Sequence, residues 1–160
     1  MNRMRGKSAI ITGAALGIGR ACALKLAEEG AAVAVTDLDV GKGSLVVEEI
    51  RSRGGDAIFV EQNVADEARW EHVIRVVIER YKKLDVLVNN AGVALAKDVE
   101  HTTLEEWRWL MSINLDGVFL GTKHAIQAMK ANRGGSVVNL SSIEGLIGDP
   151  NLAAYNASKG

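Results

Sequence analysis

The chain has 160 residues, 48% of them hydrophobic and 24% charged, with a formal net charge of −1. That size and balance bound it to one core-forming domain over residues 1–160, and its 19 scattered basic residues argue against a nucleic-acid or membrane-surface partner. Cys22 is the only cysteine, so an internal disulfide is excluded, and His72, His101 and His124 lack metal-ligand spacing, so no metal is expected. No segment reaches the about 18 apolar residues that span a bilayer, and the opening Met1-Asn2-Arg3-Met4-Arg5 is followed by no long apolar run. A cytoplasmic protein is the expectation.

Strands and helices alternate. Residues 8–12 form a short apolar run that stops at Gly13 and read as a buried strand. A helix over 17–29 places Ile18, Ala21, Leu24 and Ala27 on its inner side, with Gly30 as the closing glycine. A second strand over 32–36 ends at Asp37. A helix over 43–53 carries Val46 and Ile50 and stops at Gly54-Gly55. Residues 57–60 read as a third strand. Asp66 caps a helix reaching Tyr81, with Trp70, Val73, Ile74 and Val77 at helical spacing. Residues 86–88 form a fourth strand that runs into Asn89-Asn90-Ala91-Gly92. Thr103 and Glu106 match a capping box opening a long helix to residue 131, with Trp107, Leu110, Ile113 and Leu120 as its apolar positions. Residues 136–140 are a fifth strand, and Tyr155 starts a new helix after the turn at Asp149-Pro150-Asn151.

Five apolar strands separated by helices predict parallel βαβ units with right-handed crossovers and a sheet covered on both faces. The fold class is therefore α/β, a doubly wound parallel sheet, for which the Rossmann-type strand order 3-2-1-4-5 is the expectation. Such sheets bind ligands beyond the carboxyl ends of their strands. Gly13, Asp37, Asn63, Asn90 and Ser142 each follow one of the five strands.

The loop Thr12-Gly13-Ala14-Ala15-Leu16-Gly17-Ile18-Gly19 joins a strand to a helix. Glycines there let backbone N–H groups approach a pyrophosphate at the helix N-terminus. Its G-x-x-x-G-x-G spacing differs from G-x-G-x-x-G, and a tight turn without a ligand is the plain alternative. Asp37 lies 18 residues after Gly19. A carboxylate at that strand end accepts hydrogen bonds from ribose hydroxyls and repels a 2′-phosphate. Ala15 and Leu38 are neutral, so NAD is favoured over NADP. At the other end, Tyr155 and Lys159 are four residues apart and share a helix face. An ammonium beside a phenol favours the phenolate, which suits proton exchange near neutral pH.

Together these residues resemble the short-chain dehydrogenase/reductase family. The matching elements are T-G-x-x-x-G-I-G at 12–19, Asp37, Asn63-Val64, N-N-A-G at 89–92, Asn114, Ser141-Ser142 and Tyr155-x-x-x-Lys159, in order and spacing. The stretch from Asn139 to Gly160 is most similar to bacterial secondary-alcohol dehydrogenases of that family. The resemblance implies that Tyr155 is the general acid/base, and that Lys159 assists it and holds the nicotinamide ribose. Ser142 would stabilise the substrate oxygen, and Asn114 would hold a water in a proton relay from Lys159. It also implies an NAD site built from Gly13, Leu16, Gly17, Ile18, Gly19, Asp37, Asn63, Val64, Asn90, Ala91 and Gly92, with Tyr155 and Lys159 closing it.

The implied reaction is reversible hydride transfer between NAD(H) and a secondary alcohol or ketone, a small-molecule substrate. Residues 94–99 and 143–152 are the expected pocket walls. The family commonly has aspartate where Asn63 stands. A fold of this kind has about six or seven strands, so the resemblance also implies that the C-terminal strands lie outside these 160 residues. Tyr155 and Lys159 would then sit on a fraying helix. The full-length form would be a homotetramer or homodimer built on the 103–131 helix. A dinucleotide-binding or interaction module without chemistry is the competing reading.

Overall fold

A computed structural model describes residues 2–132 and 134–160; Met1, the first residue of the opening segment weighed above as a leader, lies outside them. The elements run β1 (Ser8–Thr12), α1 (Gly17–Glu28), β2 (Ala32–Asp37), α2 (Val40–Ser52), β3 (Asp56–Glu61), α3 (Glu67–Tyr81) and β4 (Val86–Asn89). They continue through α4 (Leu104–Met111), a π-helical turn (Ser112–Asp116), α5 (Gly117–Lys130), β5 (Ser136–Asn139), a 3-10 turn (Ile143–Gly145) and α6 (Ala153–Lys159). The five strands form one parallel sheet in the expected order, β3-β2-β1-β4-β5.

Side-chain alternation splits the core into two layers. Ala9, Ile11, Val33, Val35 and Ala57 face α1 and α2, meeting Ala23, Ala27, Val46 and Ile50. Ile10, Ala34, Val60 and Leu87 face α3 and α5, meeting Trp70, Val73, Val77 and Met129. Both faces are covered at β1, which is buried at every position, whereas the edge strand β5 departs from the expected two-sided cover, with Val138 48% exposed. The cover of β1 is why its sequence reads as a continuous apolar run rather than an alternating one.

Three local expectations are corrected. The inner face of α1 is Gly19, Ala23 and Ala27, while Ile18 and Ala21 are exposed. Small residues face inward because α1 packs closely on the sheet next to the glycine loop. Helix α2 begins at Val40, three residues before the expected 43, because the Asp39 side chain accepts from the Lys42 N–H (2.9 Å) and caps it. The long helix over 103–131 is not continuous, since the π turn separates α4 from α5 and inserts an extra backbone position at Asn114. Such insertions recur at functional sites.

The Thr103–Glu106 capping box is present with both reciprocal hydrogen bonds. Helix α6 is short but not loose. Ser158 Oγ accepts from Asn114 Nδ2 (3.0 Å), Ser141 Oγ donates to the Lys159 carbonyl (2.9 Å), and Leu152 bridges to Lys97. These tertiary ties hold a helix too short to stand on propensity. No helix among the described residues is long and apolar enough to cross a membrane.

Candidate active site

The first wall of the site is the turn between β1 and α1. Gly13 and Gly17 adopt left-handed φ values of +61° and +57°. A Cβ on Gly13 would lie 2.8 Å from Ala91 Cα, and one on Gly19 would collide with the Gly13 carbonyl oxygen and Asn90 Nδ2. A Cβ on Gly17 would meet nothing, because that side opens on the cleft. Leu16 precedes α1 without a side-chain cap, and the first turn of α1 holds no acidic residue. The leading N–H groups of α1 therefore face a backbone-lined cradle with a favourable partial charge for an anion.

Asn90 locks this cradle. Its Nδ2 donates to the carbonyls of Thr12 (2.8 Å) and Gly13 (3.0 Å), and its N–H donates to Thr12 Oγ1 (3.0 Å). Asp37 closes the far end. Its carboxylate accepts from the N–H groups of Ala15 and Asp39, both at 3.0 Å. Val64 is held by Trp70, whose Nε1 donates to the Val64 carbonyl (2.8 Å), and Gly117 leaves room for the Val64 side chain. Asn63 Oδ1 accepts from the Ala65 N–H (3.0 Å) in a tight turn.

These residues enclose a cleft of about 400 Å³. Gly13, Leu16, Gly17, Ile18, Asp37, Asn63, Val64, Asn90, Ala91 and Gly92 all line it, and the buried Gly19 backs it. Leu16 and Ile18 are exposed because they stand at its mouth. Two other hollows of similar size, about 430 and 490 Å³, lie elsewhere. Volume alone does not select the site; the amide cradle and carboxylate do. Gln62 also lines the cleft, and sequence reasoning missed it. No signal marked it in the sequence, since a polar residue directly after a strand is ordinary.

Two of the four candidate catalytic residues, Asn114 and Lys159, adjoin this cleft through Gly92 and Val93. An added Cβ on Gly92 would lie 3.3 Å from Asn114 Oδ1 and 3.7 Å from Lys159 Nζ. Asn114 is buried in the π turn, where its amide pairs in both directions with the Val93 backbone. Lys159 Nζ donates to the Leu140 carbonyl (2.9 Å) and lies 5.8 Å from the centre of the Tyr155 ring. Burial holds the Lys159 ammonium below the usual lysine range. Ser142 caps the 3-10 turn, its Oγ accepting from the Glu144 N–H (3.2 Å). Among the described residues, none hydrogen-bonds the Tyr155 hydroxyl.

A glycine cradle and a strand-end carboxylate line one cleft at the carboxyl edge of a Rossmann-type α/β sheet, with Lys159 beside Gly92 at its rim. The profile of the short chain dehydrogenase family matches residues 7–160, and the chain belongs to that family. Over 161 residues it is 50% identical to an NADP-dependent (R)-specific alcohol dehydrogenase of Lentilactobacillus kefiri, covering 99% of this chain and 63% of that protein. It is 42% identical over 160 residues to a cyclopentanol dehydrogenase of Comamonas testosteroni, covering 100% of this chain and 64% of the relative. A trans-4-hydroxycyclohexanecarboxylate dehydrogenase of Sinomonas cyclohexanicum is 44% identical over 164 residues, at 99% and 63% coverage. The chain thus spans 63% to 64% of the length of these relatives.

Proposed function

We propose that residues 1–160 form the cofactor-binding and proton-transfer part of an NAD-dependent oxidoreductase acting reversibly on a secondary alcohol or ketone. The observation that carries this reading is the position of Gly92, which lines the cradle cleft on one side and abuts Asn114 and Lys159 on the other. The residues present fit a dinucleotide: the Gly17–Gly19 amides for the pyrophosphate, Asp37 for a ribose, and Asn63 and Val64 for the base. When bound, the nicotinamide would supply the carbon that takes or gives the hydride.

The chain's own residues would do the rest. The Tyr155 hydroxyl gives its proton to the carbonyl oxygen or takes it from the alcohol. The Lys159 ammonium beside its ring favours negative charge on the phenol oxygen. The Ser142 hydroxyl donates to the substrate oxygen as charge develops there. Asn114 fixes Val93 and Ser158 around Lys159 and supports proton exchange with solvent.

Asp37 supports NAD over NADP, although the Lentilactobacillus kefiri relative is NADP-dependent by name. A 2′-phosphate would sit against a carboxylate, and the nearby Lys42 is already paired with Asp39 (2.8 Å). Exposed Leu115, Phe119 and Ile126 share one stripe of the helical segment and support self-association as a dimer or tetramer.

The test mixes the protein with NAD and a panel of secondary alcohols and follows the absorbance of reduced nicotinamide. Growth that disappears in Tyr155→Phe supports the enzyme. Dinucleotide binding without any growth would leave the non-catalytic module instead.

A further inference from the structure

The segment over residues 143–152 joins Ser142 to the helix of Tyr155, and apolar burial does not hold it. Ile143, Leu146 and Ile147 are all exposed, so the segment has little core of its own. A relay of hydrogen bonds holds it instead. Ser142 Oγ accepts from the Glu144 N–H (3.2 Å), and Glu144 Oε2 accepts from the Asp149 N–H (3.2 Å). The Asp149 carbonyl then accepts from Asn156 Nδ2 (2.7 Å) and from the Leu152 N–H (3.1 Å).

Asp149 is a stiff node in this relay. It precedes Pro150, which keeps its backbone out of the helical region, and its Oδ1 accepts from the Asn151 N–H (2.8 Å). Asn156 follows Tyr155 on the side of α6 that meets the segment, where a Cβ on Gly148 would lie 3.4 Å from Asn156 Nδ2. Its amide is half used. Nδ2 donates to Asp149, while Oδ1 is buried without a partner among the described residues. A buried unpaired acceptor costs at least as much as a typical hydrogen bond contributes. Asn156 therefore adds little to stability, and its effect is on geometry.

We infer that Asn156 is a positioning residue for the proton transfer, fixing through Asp149 and Glu144 where Ser142 stands relative to Tyr155. This rests on the catalytic reading above, which brings both hydroxyls to one substrate oxygen. Two groups meet one oxygen only when their separation is fixed, and a misplacement of about 1 Å costs on the order of a hundredfold in rate. Ser142 is one end of the relay, and the neighbour of Tyr155 is the other.

The test follows NAD reduction over the alcohol panel in the parent chain and its variants, with NAD affinity by calorimetry and thermal melting alongside. Asn156→Leu should lower kcat about tenfold or more and leave KM and the NAD dissociation constant within about twofold, the pattern of an interaction felt only in the transition state. It should melt within about 3 °C of the parent, because it deletes the unpaired acceptor together with the bond. Glu144→Ala should lower kcat by a similar factor, and the double variant should fall no further, since both act on Asp149. Glu144→Gln keeps an acceptor for the Asp149 N–H and should recover most of that loss. An unchanged kcat in Asn156→Leu, a raised KM with kcat kept, or losses that multiply in the double variant each overturn the relay. So does a kcat loss matched by equal losses of NAD affinity and melting temperature. A parent chain that binds NAD and turns over no alcohol of the panel overturns the catalytic reading, and this inference with it.

Discussion

Asn114 and Val93 hold each other from both sides: Asn114 Oδ1 accepts from the Val93 N–H (2.8 Å) and Asn114 Nδ2 donates to the Val93 carbonyl (2.9 Å). A backbone segment that would otherwise run past the cleft unsupported is thereby treated like a strand beside another strand. The same Nδ2 reaches Ser158 on α6, so one buried side chain joins the cleft wall to the helix of Tyr155 and Lys159.

Asn114→Ala should therefore weaken both fold and site. It leaves the Val93 N–H and carbonyl without protein partners in a half-buried place, a loss of roughly 1–3 kcal/mol. Calorimetric melting should fall by roughly 5–10 °C for a chain of this size. Asn114→Asp keeps the acceptor and loses the donor, so it should recover only part of that loss. A variant melting with the parent would contradict the bridging role.

Gly19 and Gly17 should separate crowding from conformation. In Gly19→Ala the new methyl collides with backbone and with Asn90, costing about 1–3 kcal/mol and distorting the cradle. In Gly17→Ala nothing is struck, but φ of +57° costs about 1–2 kcal/mol for a residue with Cβ. Dinucleotide affinity measured by calorimetry should drop at least tenfold in the first. Thermal stability should drop in both.

Asp37→Ser should lower the preference for NAD over NADP by at least tenfold, read as the ratio of the two dissociation constants. Part of the loss will be structural, because the carboxylate also accepts from the Ala15 and Asp39 N–H groups. The ratio removes that part, since it acts on both ligands alike. A ratio unmoved by the substitution would refute the charge argument for NAD.

Acid stability should depend on Glu29. Hydrogen bonding from the exposed Arg3 guanidinium holds the Glu29 carboxyl down from 4.5 to about 2. A carboxylate with a lowered folded value stabilises the fold above its unfolded value and loses that contribution as protons bind. The gap in denaturant midpoint between the parent and Glu29→Gln should be constant from neutral pH to about 5. It should then close between 4.5 and about 2. A gap independent of pH across that range would show that Glu29 acts by packing alone.

Much of this architecture is legible before any folding. The bounds of β1 coincide with the apolar run because both faces of a central strand need burial and Gly13 ends the run. Strand β3 extends one residue further at each end, to Asp56 and Glu61, because ladder pairing with Ala32 and Asp37 uses backbone groups and ignores side-chain polarity. Helix α2 starts early because the Asp39 side chain caps it, even though Gly41 and Gly43 fall in its first turn. Gly43 is in fact the seat of the Phe59 ring, where a Cβ would not fit. The π turn leaves no mark on the 3.6-residue pattern, since one inserted residue shifts the phase without changing residue type. For the site, strand-end position pointed to Asp37 and helical spacing to Tyr155 and Lys159, the family resemblance pointed to Asn114 and Ser142, and the structure adds the partners of Asp37, Asn114, Ser142 and Lys159. Gln62 stayed silent, because a glutamine after a strand is ordinary until its amide is seen to be without partners.

Alternating apolar strands and helices, with glycine where the first strand meets its helix, are enough to dictate a doubly wound parallel sheet and a cradle at its carboxyl edge; the order β3-β2-β1-β4-β5 is seen in the fold. Burial and backbone sterics act locally, so they are written in residue order. Which polar groups are satisfied by the protein and which stay open for a ligand is settled by folding. The partners come from far along the chain: Asn90 meets Thr12 across 78 residues, and Asn114 meets Ser158 across 44. A hydrogen bond depends on distance and angle between groups that only the packed fold brings together.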